Sequence, residues 1–509
     1  MKTFHVEGGI HPEYRKERTQ ENAIVALPMP KILCLPLKQH AGAPAEPVVS
    51  SGKRVKKGDL LAKPQGAVSA PIHAPTSGTV VDITDMTAPH PSGLAQKTIV
   101  LRPDGKDEWG ALPPPIENPF AADPAEIDAR VGWAGIVGLG GAAFPSAIKF
   151  GLRSKKPDIL VLNGAECEPY LTCDDRIMQE HADEVVDGAR IMAHALGVSQ
   201  ILIAIETNKP AAIVAMTVAA AGYPAVVVMP IPVQYPMGSE KHLTKAVTGR
   251  ETPAGKMTAD IGVVVHNVAT ARAVREAVRF GWPLISRVIT LSGAGLTRGM
   301  NIKVPLGTMV VDLIEFCGGF KDGIAPQRLI SGGPMMGHPL PSLDVPVIKG
   351  TCGILALTKA EINEQPAGPC IRCGGCVSVC PCGLVPLEMA AFIRHDNLEQ
   401  AEQIGVRDCV SCGSCSYICP SHIPLVQYFN YAKGKLNAAD RDHRKQERLK
   451  GLVEGRMARM EKQRKAKAEA AATAAAAKKA QAAATAAAAA AAGTATAAAP
   501  PTETPKASA

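Results

Sequence analysis

The sequence predicts a multidomain protein combining an α/β region with α+β modules, and three observations carry that expectation. The chain has 509 residues, more than one hydrophobic core accommodates, so about three to five domains follow. Strand-length and helix-length runs alternate between residues 116 and 285, as in a mostly parallel sheet covered by helices. The flanking segments change character, from Gly- and Pro-punctuated β-type runs to a cysteine-dense stretch and a basic, alanine-rich end. The expected domains are 1–115, 116–285, 286–345, 360–430 and 431–509.

In the first segment, Val55 to Leu61 and Ala70 to Val80 read as two strands separated by turn residues. They resemble the half-barrel pair of biotinyl/lipoyl-type barrel-sandwich domains. Carrier domains of that kind hold a lysine at the hairpin tip, whereas His73 stands there between two Ala-Pro steps. A docking or structural module is therefore expected, with His73 an ordinary exposed histidine, because a lone imidazole has no partner to define a function.

In the α/β region, strands are expected at 159–162, 201–205, 225–229 and 262–265, and helices at about 182–196, 208–221, 239–248 and after Val268. Residues 210–239 contain no charge, but Gly222, Pro224, Pro230 and Pro232 divide them into a helix-length and a strand-length piece. They read as the buried half of the α/β layer, since an interrupted membrane span would leave backbone groups unpaired in lipid. From 287 to 345 the glycines at 293, 295, 299 and 307 punctuate short β-type runs around one helix at Val310 to Phe316. This unit resembles the soluble-ligand-binding (SLBB) β-grasp module.

Cys370-x2-Cys373-x2-Cys376-x3-Cys380-Pro381 and Cys409-x2-Cys412-x2-Cys415-x3-Cys419-Pro420 are two copies of one spacing. The two-residue gaps let a short loop wrap three thiolates around a cubane cluster, and the fourth cysteine ligates the other cluster. Cys370, Cys373, Cys376 and Cys419 are thus expected on one 4Fe–4S centre, and Cys409, Cys412, Cys415 and Cys380 on the second. Structural zinc also takes paired C-x2-C, but gives no reason for a third cysteine and a Cys-Pro in both copies. Clusters need reduced thiolates, so a reducing compartment fits better than a secreted disulfide scaffold. The remaining cysteines, at 34, 167, 173, 317, 352 and 382, show no ligand spacing and read mostly as small buried hydrophobes.

The net charge is +8, and residues 433–509 hold sixteen Lys or Arg against seven Asp or Glu, so the first 432 residues are near −1. Basic residues do not alternate with aromatics there, so nucleic-acid binding is not expected. The basic part reads as a solvated helix or as an attraction to anionic lipid or an acidic partner. The alanine-rich end buries almost nothing, so it is expected to fray or stay disordered. The beginning, MKTFHVEGGIHPE, carries no apolar run of a secretory signal, and this end is expected to stay in the cytoplasm.

Gly135-Ile-Val-Gly-Leu-Gly-Gly-Ala-Ala-Phe-Pro145 runs directly into a helix start at Ser146. Glycines there let backbone N–H groups approach a phosphate at a helix N-terminus, but no clear strand precedes them as the dinucleotide fingerprint requires. From the residues alone, a phosphate cradle and a plain tight turn fit equally.

Resemblance over separated stretches adds to this. The loop with Lys149, then 162–169 with Asp174-Asp175-Arg176, then 235–243, then 265–270 are similar to the FMN and NADH site of the flavoprotein subunit of respiratory complex I. With the sandwich, the β-grasp unit, Gly332-Gly-Pro-Met-Met-Gly337 and the two-cluster ferredoxin-like segment, the order resembles the RnfC component of the Rnf (Rsx) ion-translocating oxidoreductase complexes over about 1–430. The resemblance implies Gly138, Gly140, Gly141, Lys149, Asn163, Glu166, Tyr235, Gly238, Glu240, Asn267 and Thr270 around FMN, and Phe144, Lys149 and Glu168 near the nicotinamide nucleotide. Where the flavoprotein of complex I has paired acids, this chain has Ser239-Glu240-Lys241, and His266 replaces an asparagine.

What the resemblance implies is a peripheral subunit on the cytoplasmic face of a bacterial inner membrane. It would pass electrons between NAD(H), FMN and two 4Fe–4S clusters, to or from a ferredoxin or flavodoxin. Other subunits would move the ions, and membrane contact would run through those partners and through the basic tail. Two other readings use the same modules. One is a soluble flavin-dependent reductase similar to cobalamin reductases, and the other is a ferredoxin-type electron wire without nucleotide chemistry.

Overall fold

The computed structural model describes residues 3–493. It divides into a unit of residues 1–432 and a second of residues 433–509. Residues 33–103 of the first unit form two antiparallel sheets. One has the order Leu33–Pro36, Ala95–Pro103, Gly78–Thr87, Arg54–Val55, and the other Glu46–Pro47, Leu60–Lys63, Ile72–His73. Alternating residues such as Leu33, Leu35, Val80, Ile99 and Leu101 fill the space between them, as inward-facing positions of a sandwich do.

His73 corrects the sequence reading. It is 1% exposed, its ring lies 4.9 Å from that of Trp133, and neither ring nitrogen has a partner. Burial pushes its pKa down to about 3, so it sits there neutral. The hairpin tip is therefore packed into the next module, where the sequence offered no sign of a neighbour.

The α/β layer has four parallel strands in the order Val226–Ile231, Gln200–Glu206, Ile159–Gly164, Val263–Asn267. The connections reverse direction between the last two, and Asn163 pairs with Asn267 at their carboxyl ends. Such a switch point opens a crevice where α/β sheets hold ligands. Helices Ala182–Leu196, Pro210–Ala220, Glu240–Thr248 and Val268–Phe280 lie where the periodicity puts them. The charge-free stretch is only half buried. Ala212, Met216 and Ala220 face the sheet, whereas Val214 and Val218 are exposed, because this helix lies at the outer edge of the layer.

A six-stranded mixed sheet follows, ordered Val25–Ala26, Met300–Pro305, Ser286–Ser292, Gly353–Leu357, Arg328–Ser331, His338–Pro339. Helix Val310–Phe316 packs on it. Its first strand comes from the N-terminal 27 residues, which run outside the sandwich as a strap. Phe4 N–H bonds to Ala246 O, Gly9 N–H to Val379 O, and Ile10 bridges Tyr235.

The cysteine region repeats its backbone. Left-handed conformations at Arg372, Gly374 and Gly383 recur at Ser411, Gly413 and His422, and the short helices Gly375–Ser378 and Ser414–Tyr417 correspond.

Helix Leu425–Gly493 begins in the first unit with Leu425, Phe429 and Ala432 buried. The second unit is helical from Lys433 to Gly493. The basic part is the exposed helix expected of it, and the fraying or disorder expected of the alanine-rich end is corrected as far as Gly493, where the intrinsic preference of alanine prevails without any burial. The remainder of that expectation, from residue 494, lies outside the described residues.

Candidate functional site

At the switch point the loop Gly135 to Pro145 closes through a Val137–Pro145 bridge and a Gly138 N–H to Phe144 O bond. Gly141 has φ +101°, a conformation that a Cβ would strain. A Cβ on Gly140 would lie 3.4 Å from the Asn267 amide. The loop is tied down on its inner side: Leu139 N–H donates to Thr270 Oγ1 at 3.0 Å, and Arg287 donates to Leu139 O at 2.9 Å. Lys149, on the short helix that follows, pairs with Glu240 at 3.0 Å and bonds to Val265 O.

The opposite wall is the loop after Ile159–Gly164. Asn163 donates to Gly238 O at 2.8 Å, and Glu166 accepts N–H bonds from Asp174 and Asp175, capping the next helix. Asn267 donates to Asp174. Burial and the adjacent Glu166 both push the Asp174 pKa up, while Asn267 opposes them. The structure therefore gathers Gly138, Gly140, Gly141, Lys149, Asn163, Glu166, Gly238, Glu240, Asn267 and Thr270 at the carboxyl edge of the sheet, with half-buried Phe144 in the loop itself.

Two candidates face elsewhere. Glu168 accepts the Met335 and Met336 N–H groups at 3.0 and 2.8 Å, and burial raises its pKa to about 7. Tyr235 is fully buried and donates to Cys412 O at 2.6 Å.

The eight motif cysteines separate into two sets. Cys370, Cys373 and Cys376 line one cavity together with Cys419, and Cys409, Cys412 and Cys415 line another with Cys380. Each cavity draws three sulfurs from one motif and the fourth from the other. Two all-sulfur sets of four are the donor chemistry of cubane clusters. The sets differ in surroundings. Cys370 and Cys373 are exposed, whereas Cys412 and Cys415 are buried. The buried set lies against the strap and the α/β layer: a Cβ on Gly8 would stand 2.7 Å from Cys380 O, and His242 Nε2 bonds to Pro381 O at 2.8 Å. Peptide N–H groups of Leu384 and Ser411 reach Cys380 and Cys409 Sγ at 3.4 Å, bonds that stabilise a thiolate.

Sequence reasoning missed several residues. Cys382 lines the buried cavity as a fifth cysteine, and its place directly after a Cys-Pro was the available signal. Lys16 donates to the Glu166, Glu168 and Leu171 carbonyls at 2.8, 3.1 and 2.5 Å and so holds the loop between Asn163 and Asp174. Nothing in its sequence surroundings points there. Of the remaining cysteines, Cys34, Cys173 and Cys317 are buried as expected, while Cys167, Cys352 and Cys382 are partly exposed.

A parallel α/β layer with a glycine-loop crevice, joined to two four-sulfur cavities, defines an electron-transfer protein of the iron–sulfur flavoprotein class. Family models match in the same order: an RnfC barrel-sandwich hybrid domain at 4–106, the Nuo51 FMN-binding domain at 131–276, an SLBB domain at 288–339 and a 4Fe-4S dicluster domain at 369–423. The C component of the ion-translocating oxidoreductase complex of Rhodobacter capsulatus is 56% identical over 440 residues, 86% of this chain and 84% of its own. The C component of the proton-translocating ferredoxin:NAD(+) oxidoreductase complex of Clostridium ljungdahlii is 46% identical, over 86% and 95%. The corresponding component from Yersinia pestis bv. Antiqua is 43% identical, over 91% and 74%. The chain belongs to the RnfC family, the C component of ion-translocating oxidoreductase complexes, and its cofactors are FMN and two 4Fe–4S clusters.

Proposed function

We infer that the crevice at the switch point holds FMN and admits NAD(H), and that electrons pass between it and a ferredoxin-type partner through the two cysteine cavities in a fixed order. The observation that carries this order is the Tyr235 hydroxyl on Cys412 O. Tyr235 lies three residues before Gly238, whose carbonyl is held by Asn163 at the crevice. The buried set, Cys380, Cys409, Cys412 and Cys415, thus stands next to the flavin. The exposed set, Cys370, Cys373, Cys376 and Cys419, stands where a partner reaches it, beside exposed Ile371, Tyr417 and Ile418.

A flavin supplies the exchange between the electron pair of a hydride and the single electrons that clusters carry. The residues of the chain do the rest. The Gly138 and Leu139 N–H groups are held by Phe144 O and Thr270 Oγ1, so those of Gly140 and Gly141 would meet the flavin phosphate, Lys149 and Glu240 would set the charge beside it, and Asn163 and Asn267 would border it. Glu168 shapes the nicotinamide side through the 332–337 turn it caps. The four sulfurs of each set ligate one cluster.

No helix among the described residues is long and apolar enough to cross a membrane. The place we propose is peripheral, on the cytoplasmic face of the inner membrane, with ions moved by other subunits, as its membership of the RnfC family supports. The test is anaerobic titration of the chain loaded with FMN, iron and sulfide. NADH is expected to bleach first flavin and then cluster absorbance. Intact clusters with no NADH-dependent bleaching would overturn the reading.

A further inference from the structure

The second unit carries a sorted surface that the redox machinery does not use. Along its helix Leu449, Leu452, Val453, Met457 and Met460 are 49% to 63% exposed. At about 100° per residue they fall within one arc of about 140°. From Lys445 onward the charges bordering that arc are basic, whereas Asp442, at the start of this stretch of helix, lies about 20° from Leu449. Lys445, Arg448, Lys450, Arg456, Arg459 and Arg464 lie within about 100° of Leu449, and Lys462 about 140° from it. Glu447, Glu454 and Glu461 recur every seven residues and lie about 120–160° away from it. Two of these acids are engaged on that far side, Glu447 with His443 and Glu461 with Lys465.

We propose that this stretch, residues 445–464, lies along an anionic lipid surface, with the five apolar side chains inserted and the flanking cations on lipid headgroups. The inference stands independently of the redox reading. An interfacial helix has an apolar face bordered by cations, with its anions turned to water. A second copy of the helix is a poorer occupant, because a coiled-coil seam wants an unbroken apolar row. Here Arg456 sits inside the arc, between the directions of Leu449 and Leu452. On a membrane its guanidinium bends back to the headgroups while its stem stays in the apolar layer.

The test sediments the full chain with vesicles of phosphatidylcholine, alone or with about 30% phosphatidylglycerol, at low and high salt. Anionic vesicles should bind at least about tenfold more chain than neutral ones, with the difference reduced at high salt. Leu449→Ser, Leu452→Ser, Met457→Ser and Met460→Ser together should lower that binding at least about tenfold. Arg448→Gln, Arg456→Gln and Arg459→Gln together should lower both binding and its salt dependence. Glu447→Gln, Glu454→Gln and Glu461→Gln together should not weaken it. Since all these side chains are exposed, unchanged cluster absorbance serves as the check that each variant has folded. Serine-variant binding equal to that of the unaltered chain would overturn the proposal in favour of plain attraction to polyanions. Binding to immobilised polyglutamate but not to vesicles would overturn it in favour of an acidic protein surface.

Discussion

Lys349 shows how much of this molecule is held by single buried cations. Its side chain is 0% exposed, and its ammonium donates to Pro71 O and Gly135 O, both at 2.6 Å. It thereby joins the sandwich hairpin to the start of the glycine loop. Burial pushes its pKa down to about 7. In the unfolded chain the same lysine titrates near about 10.4. Between those values the unfolded state binds the extra proton, so this group makes stability rise with pH across the window and fall as pH drops through about 7. Lys349→Met removes that slope but leaves two buried carbonyls without a donor, at a cost of about 1–3 kcal/mol each. Urea midpoints measured from neutral to alkaline pH should rise more steeply for the unaltered chain than for the variant. Equal slopes would show that the lysine is not neutralised by burial.

Among the elements, the loop from Gly164 to Thr172 depends on the strap. Glu166 and Tyr170 both have positive φ, a cost that persists only where surrounding bonds over-determine the backbone. Lys16 supplies three of those bonds. Lys16→Met should destabilise the chain by about 3 kcal/mol and lower the FMN retained after gel filtration, with Lys16→Arg restoring part of it. Unchanged FMN content in the methionine variant would show that the loop holds itself. The strap also marks what the sequence hides. The helices from Ala182 to Phe280 are legible because each buries a face at helical spacing, and the cysteine sets because ligand spacing is set by cluster geometry. The strap binds through backbone carbonyls and carries no period. At His73 the sequence misleads for a related reason: burial by another module leaves no local trace. In the tail it misleads because alanine's helix preference acts there without burial, in a composition that otherwise reads as disorder.

At the scale of the whole molecule, the cluster region is docked by the strap as well as by Tyr235 and His242, and Gly8 is the point where the strap's share can be tested. Its φ is +69°, and a Cβ there would meet Cys380 O at 2.7 Å and Pro381 N at 2.9 Å. Both neighbours are backbone, so neither can swing aside. Gly52 provides the control, with φ +81° and nothing within 4 Å of a Cβ. Gly52→Ala carries only the left-handed penalty, about 1–2 kcal/mol. Gly8→Ala carries that penalty plus the displacement of the Cys380–Pro381 peptide, which adjoins the cavity proposed to stand next to the flavin. Rapid mixing with NADH separates the two. With Gly52→Ala both the flavin and the cluster phases should keep their rates. With Gly8→Ala the flavin phase should persist, because the glycine loop and Lys149 are untouched, while the cluster phase slows or the chain loses about half of its roughly eight irons. If Gly8→Ala behaves as Gly52→Ala does, the strap does not set the distance between flavin and cluster, and the order of the two cavities must be sought in the Tyr235 contact alone.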